Sequence, residues 1–269
     1  MALWRDIPKI DSHVHILRHP REDTCLGVNP PERMLEVMAA ERIQRVVVLP
    51  IYDPAPGSRD DSARDQNRRQ VAWADQYLEQ FICLAACPED IHPVTRAEEV
   101  AHLVQTTRLA GVKLHPTTGI PADDWSLLPL YRKLADLGAP VLIHSNPSDN
   151  DPHFDDSSPA RIARVMAAFP DLKAIVGHLG GWHFMECLGL EQYGHFELSG
   201  GLLRIAELMG TGFAERFLRR LGVNRLLFGT DYAAFGYEAY YRVLDAMGWT
   251  AAEQERIAYG NAAELWGLA

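Results

Sequence analysis

Lys9-Ile10-Asp11-Ser12-His13-Val14-His15-Ile16 is a short, largely apolar run that ends in two histidines two residues apart. Its length and composition read as a β-strand. In an extended segment, residues two apart project to one face, so His13 and His15 share a face and Asp11 is expected on it one step deeper. At a rise of roughly 3.3 Å per residue, the two imidazoles lie close enough to share one ion.

Seven similar runs follow: Arg45–Ile51, Phe81–Cys87, Gly111–Pro116, Pro140–Asn146, Lys173–Leu179, His195–Gly200 and Arg225–Tyr232. Most are near-continuous Val, Ile and Leu, the pattern of parallel strands covered by helices. Helical periods fill Pro31–Arg42, Asp65–Leu78, Arg96–Arg108, Leu127–Leu137 and Pro159–Phe169. Asn29-Pro30-Pro31 opens the first of these, where proline is tolerated. Gly138 and Gly222 each follow an apolar helical run, as C-terminal caps do. Eight βα alternations predict an α/β fold, a distorted (β/α)8 TIM barrel. Ala251–Ala269 is expected as one or two helices packed outside it. An open doubly wound sheet would announce itself with GxGxxG after the first strand, and none follows here. The 269 residues are close to the roughly 250 of one such barrel. No linker, repeat or low-complexity tract interrupts them, so one domain over 1–269 is expected.

A hydrophobic fraction of 47% is enough for a sizeable core without disulfides. Cys25, Cys83, Cys87 and Cys187 have no zinc-ribbon or CxxC spacing, and Cys83 and Cys87, flanking an apolar run, read as reduced core or near-core thiols. The net charge of −10, with no basic tract, leaves nothing to displace counterions from nucleic-acid phosphates. The N-terminus lacks the pattern of a signal peptide. No apolar stretch approaches the ~20 residues that span a bilayer. A cytoplasmic protein is expected, with a small-molecule substrate as its partner. A homodimer through outer helices is the simplest assembly.

Barrel enzymes build their sites at the carboxyl ends of the strands. His13 and His15 lie there on the first strand, His115 on the fourth, His144 on the fifth and His178 on the sixth. Gly229-Thr230-Asp231 ends the eighth, next to the first strand in a closed barrel. One histidine at a strand end is more often a hydrogen-bonded rim residue than a ligand. Five histidines and an aspartate at equivalent ends point instead to a metal or catalytic cluster. Imidazole and carboxylate together suit Zn²⁺ and its divalent neighbours.

The chain resembles the amidohydrolase superfamily, in the branch of aminocarboxymuconate-semialdehyde decarboxylase and related hydrolases. The matching pieces are Ile10-Asp11-Ser12-His13-Val14-His15, Gly111-Val112-Lys113-Leu114-His115-Pro116, Val141-Leu142-Ile143-His144, Gly177-His178-Leu179-Gly180-Gly181 and Leu227-Phe228-Gly229-Thr230-Asp231. Gly260-Asn261-Ala262-Ala263-Glu264-Leu265-Trp266-Gly267-Leu268 is similar to the family's closing helix.

The resemblance implies that His13, His15, His144 and Asp231 hold one Zn²⁺, or Mn²⁺, together with a water. Asp231 would move protons, and His178 would hydrogen-bond the water or a developing oxyanion. Some branches bind two metals bridged by a carbamylated lysine on strand 4, where Lys113 stands two residues before His115. A single metal is favoured, with Lys113 and His115 facing the substrate. Asp11 reads as a buried supporting group rather than a base. Substrate contacts are sought in the loops: Arg64, with Arg59, Arg68 and Arg69 nearby, as a carboxylate clamp, Trp182 as a pocket wall, and the acidic stretch Ser148–Asp156 as a rim or lid. The leading expectation is hydrolysis of a small lactone, ester or amide. Its alternative is non-oxidative decarboxylation of an aromatic or muconate-like acid at the same metal, which would call for an arginine or aromatic clamp.

Overall fold

Parallel strands in chain order make up the sheet of the computed structural model, which describes residues 3–20, 25–54, 61–146, 155–190 and 192–268. They are β1 (Lys9–His15), β2 (Ile43–Leu49), β3 (Phe81–Ala86), β4 (Gly111–Leu114), β5 (Val141–Ile143), β6 (Ala174–Val176), β7 (His195–Glu197) and β8 (Leu226–Leu227). Beyond β8 the chain returns to β1. Ser12 N donates to Phe228 O at 2.8 Å, Asp231 N to His13 O at 2.8 Å and His15 N to Tyr232 O at 2.9 Å. These bonds close the sheet into the expected TIM barrel.

The helices are α1 (Pro31–Ala40), α2 (Ala63–Gln76), α3 (Pro93–Thr106), α4 (Leu128–Leu137), α5 (Pro159–Ala168), α6 (Gly201–Met209), α7 (Thr211–Leu221), α8 (Tyr237–Asp245), α9 (Ala251–Glu255) and α10 (Asn261–Leu265). Local chemistry sets their ends. α2 starts two residues before the apolar period does, because Ser62 and Asp65 form a reciprocal capping box. α3 starts at Pro93, whose ring pre-sets the first helical turn. Gly138 ends α4 at φ +62°, a left-handed conformation that glycine adopts without strain.

Strand side chains alternate between two apolar layers. Val46, Val48, Val112, Val141, Ile143 and Val176 face the helices, where they meet residues such as Leu130, Ile162 and Leu202. Val47, Leu49, Ile82, Leu84, Leu142 and Ile175 fill the barrel itself. Each such side chain contributes roughly 1.5–3 kcal/mol on burial. The C-terminal helices lie outside the strands, and α10 also covers one end of the barrel. Its Ala262, Ala263 and Leu265 pack against the inner layer. Asn261 Nδ2 donates to Val223 O at 2.7 Å and Leu226 O at 2.8 Å, which fixes α10 at the start of β8. The strands' carboxyl ends, at the opposite mouth, are left to carry polar groups.

Candidate metal centre

Each strand's ladder ends before the apolar run that predicted it, and residues released at the carboxyl ends join His13 and His15 of β1, Lys113 of β4 and Glu197 of β7 to build the site. His144 follows β5 directly, His178 follows β6 after Gly177, and Ser199 follows β7 after Leu198. His178 and Asp231 both hold left-handed backbones, at φ +53° and +58°. That conformation is costly for non-glycine residues and tends to collect at functional sites.

On β1, Asp11 pairs with Val46 and Val14 with Val48, so three steps along β1 match two along β2. This is a β-bulge. Val46 and Val48 face the helices, so Asp11 and Val14 face them too, while His13 and His15 turn into the barrel. The expectation that Asp11 shares the histidines' face is therefore corrected: the extra residue reverses the alternation between 11 and 13. Asp11 is instead a buried acceptor that ties β1 to β8 and α8. It receives Thr230 Oγ1 at 2.5 Å, Tyr237 OH at 2.7 Å, and the backbone N–H groups of Thr230 and His13 at 3.1 Å each. Burial still pushes its carboxyl up to about 7, against the pull of the Thr230 and Tyr237 bonds.

Inside the mouth, His13 Nε2 and His15 Nε2 stand 3.5 and 3.4 Å from Asp231 Oδ1. That oxygen is buried and makes no hydrogen bond. A carboxylate oxygen without a donor, facing two imidazole nitrogens, is the donor set a divalent cation would complete. Burial pushes the Asp231 carboxyl up, partly offset by the Lys113 ammonium. Burial also lowers His13, His15, His144 and His178 well below the usual imidazole range, so all four are neutral. Neutral imidazole is the form that binds metal.

A second group surrounds Glu197. Its Oε2 lies 2.8 Å from His13 Nδ1 and accepts from Ser199 Oγ at 2.6 Å and His178 N at 3.2 Å. His13, His178 and Glu197 likewise bring one ligand atom each within 4.8 Å of one another. Gly229 lets this carboxylate in, since a Cβ there would collide with Glu197 Oε1. Nothing in the sequence flags Glu197 beyond its place at the carboxyl end of β7, and that place is the usable signal.

The other predicted residues divide. His144 Nδ1 faces His178 Nε2 at 3.0 Å, and its ring stacks on His115 with centroids 3.9 Å apart. Lys113 Nζ is buried with no hydrogen-bond partner, and burial lowers it to about 8 while Asp231 and Glu197 pull the other way. Trp182 is partly exposed at the rim, with the Arg204 guanidinium 4.5 Å above its ring and Arg204 NH1 donating to Asn146 Oδ1 at 2.7 Å. Arg204 has no sequence signature, being one of two charged residues on the otherwise largely apolar α6. Arg64 is not brought to the site, because it forms a bidentate pair with Glu99 at 2.8 and 2.7 Å between α2 and α3. Arg68 pairs with Asp65 and Arg69 with Asp61. Arg59 and most of the stretch Ser148–Asp156 lie outside the described residues.

The family model described as Amidohydrolase matches residues 10–268. The chain belongs to the amidohydrolase family. Like the family's members it is an enzyme. Three solved structures share its fold. A 2,6-dihydroxybenzoate decarboxylase from Rhizobium has 18% identity and a TM-score of 0.73, over 97% of this chain and 99% of that one. A 5-carboxyvanillate decarboxylase from Novosphingobium aromaticivorans, complexed with manganese and a nitrobenzoic acid, has 16% identity and a TM-score of 0.75, over 98% and 97%. A probable 2-pyrone-4,6-dicarboxylic acid hydrolase from Acinetobacter baumannii with citric acid bound has 15% identity and a TM-score of 0.68, over 97% and 100%. No curated protein matches the chain. Among the described residues no helix is long and apolar enough to cross a membrane.

Proposed function

We propose that this amidohydrolase uses one divalent ion, Mn²⁺ or Zn²⁺, to act on a small carboxylic acid, and that its reaction is non-oxidative decarboxylation. The observation that carries the substrate class is Lys113. A buried ammonium with no hydrogen-bond partner, among four neutral imidazoles and within the field of the Asp231 and Glu197 carboxylates, still has its donors to give to an anionic oxygen in the mouth. The similar fold of two aromatic-acid decarboxylases supports the choice of reaction.

In this reading His13, His15, His144 and Asp231 hold the ion. When bound, it would supply a Lewis acid that fixes an oxygen of the substrate. Lys113 offsets the substrate's negative charge. Arg204, stacked on Trp182 and held by Asn146, would take a second acidic or polar substituent at the rim. As the bond from ring carbon to carboxyl carbon breaks, CO₂ leaves and the electron pair stays on the ring carbon. Asp231 delivers a proton there from its carboxyl and recovers one from water. His178 lines the reacting end.

Hydrolysis of a lactone, ester or amide is the second reading, favoured by the similarity to the pyrone dicarboxylic acid hydrolase. There Asp231 would first accept a proton from water rather than donate one to carbon. A panel of aromatic acids and lactones, with Mn²⁺ or Zn²⁺ added, separates the two when CO₂ release and acid release are scored independently. CO₂ from an aromatic acid is expected. Acid release from a lactone without CO₂ would overturn the decarboxylase reading. The wild type should hold about one equivalent of metal by elemental analysis, as a single catalytic site requires, and His13→Ala should lose it. Activity in a fully chelated wild type would defeat the metal's role.

A further inference from the structure

We propose that Glu197, acting with Ser199, sets which ring nitrogen carries the proton in three histidines of the site. It thereby presents His13 Nε2 and His144 Nε2 as bare lone pairs. The assignment rests on the metal reading only for its purpose, since the hydrogen bonds fix the proton positions by themselves.

A neutral imidazole has one N–H and one acceptor nitrogen, and its partners decide which is which. A carboxylate only accepts. Glu197 Oε2 already receives the His178 backbone N–H at 3.2 Å, and Oε1 receives that of Ser199 at 2.5 Å. His13 Nδ1, at 2.8 Å, must therefore donate to Oε2, and its proton also faces Ser199 Oγ at 3.3 Å. That leaves His13 Nε2 unprotonated and turned toward Asp231.

Ser199 carries one hydroxyl proton, which it gives to Glu197 Oε2 at 2.6 Å. Toward His178 Nδ1, at 2.8 Å, the same hydroxyl can only accept. The Ser199 carbonyl, 3.3 Å from the same nitrogen, is also an acceptor. Two independent acceptors place the proton of His178 on Nδ1 and leave its Nε2 bare. That bare nitrogen is 3.0 Å from His144 Nδ1, so His144 donates through Nδ1 and its Nε2 is bare in turn.

One carboxylate thus orders His13 directly and His178 and His144 through Ser199. The opposite tautomer of His13 would put a proton between Nε2 and Asp231 Oδ1, now 3.5 Å apart, and bond that pair to each other instead of to a cation. Glu197 is a positioning residue. It need not touch the substrate.

The proton positions can be read in metal-free wild type carrying ¹⁵N-histidine, by long-range ¹H–¹⁵N correlation at neutral pH. Protonated Nδ1 and bare Nε2 are expected for His13, His178 and His144. Glu197→Gln should mix the His13 tautomers and weaken Mn²⁺ binding, measured by calorimetry, about 10–100-fold. Ser199→Ala leaves only the main-chain carbonyl, at 3.3 Å, to hold the His178 proton, so the His178 and His144 tautomers should become partly mixed while that of His13 stays, and Ser199→Thr should restore both. An Nε2–H pattern on His13 or His178 in the wild type overturns the proposal. So does a folded Glu197→Gln protein whose Mn²⁺ affinity falls by less than about tenfold. If Glu197→Gln does not fold, the wild-type spectrum and the two serine variants decide the matter. Wild type that binds no Mn²⁺ would sink the metal reading and leave the proton pattern to stand or fall on its own spectrum.

Discussion

Two buried charges without ordinary salt-bridge partners frame the site, and they behave differently. Asp11 is buried among donors: Tyr237 and Thr230 surround its carboxyl. Tyr237→Phe removes a single O–H from that ring and should cost about 1–3 kcal/mol, read as a lower urea midpoint with an unchanged slope. Lys113 is buried without a donor's usual acceptor. Lys113→Met keeps the volume and removes the unpaired ammonium. It should raise stability by about 1–3 kcal/mol while raising KM for an acidic substrate. A variant less stable than the wild type, with unchanged KM, would show that Lys113 is structural. The pair of outcomes illustrates a stability sacrifice of the kind that functional sites make.

At the scale of elements, the bulge in β1 aims His13, and the left-handed turns after β6 and β8 aim His178 and Asp231. Gly201 opens α6 against the His178 carbonyl, where any side chain would collide. β7 contributes at both ends. At its carboxyl end stands Glu197, and at its start is His195, whose imidazole burial, aided by Arg225, holds at about 4. An unfolded histidine titrates near 6.5. Between those values, as pH falls, the unfolded chain takes up a proton that the folded chain refuses. Stability from this group is therefore complete above about 6.5 and is lost toward 4, at roughly 1.4 kcal/mol per pH unit. His195→Asn should flatten that part of the acid limb in chemical denaturation scans of the metal-free protein. The four neutral histidines of the mouth add to the same limb and would keep their share in the variant.

Across the whole molecule, α10 covers one end of the barrel and the polar groups collect at the other. Leu265 is 7% exposed and packs on the inner layer of strand residues. Leu265→Ala should cost about 2–5 kcal/mol through the cavity it leaves. Because the inner layer supports β1 and β8 alike, the loss should appear as a lower Tm of the entire protein, without a separate early transition. A local transition confined to the C-terminal helices would contradict that coupling.

The eight strands, the helical periods of α1 to α5 and the row of His13, His15, His144, His178 and Asp231 were legible in the sequence. Apolar periodicity, caps and strand-end position are local properties, written within a few residues of where they act. The side on which Asp11 falls was not, because a bulge is a mismatch between β1 and β2 and exists only once both are paired. Arg64 could not be assigned from its own neighbourhood either, since Glu99, 35 residues away, takes its guanidinium out of contention. Glu197, Ser199 and Arg204 gained meaning only when barrel closure brought their partners from distant strands. The sequence by itself determined which chemistry stands at the mouth of the barrel. Tertiary structure decided which atoms face one another, because side-chain facing and proton position depend on long-range pairings that no single stretch contains.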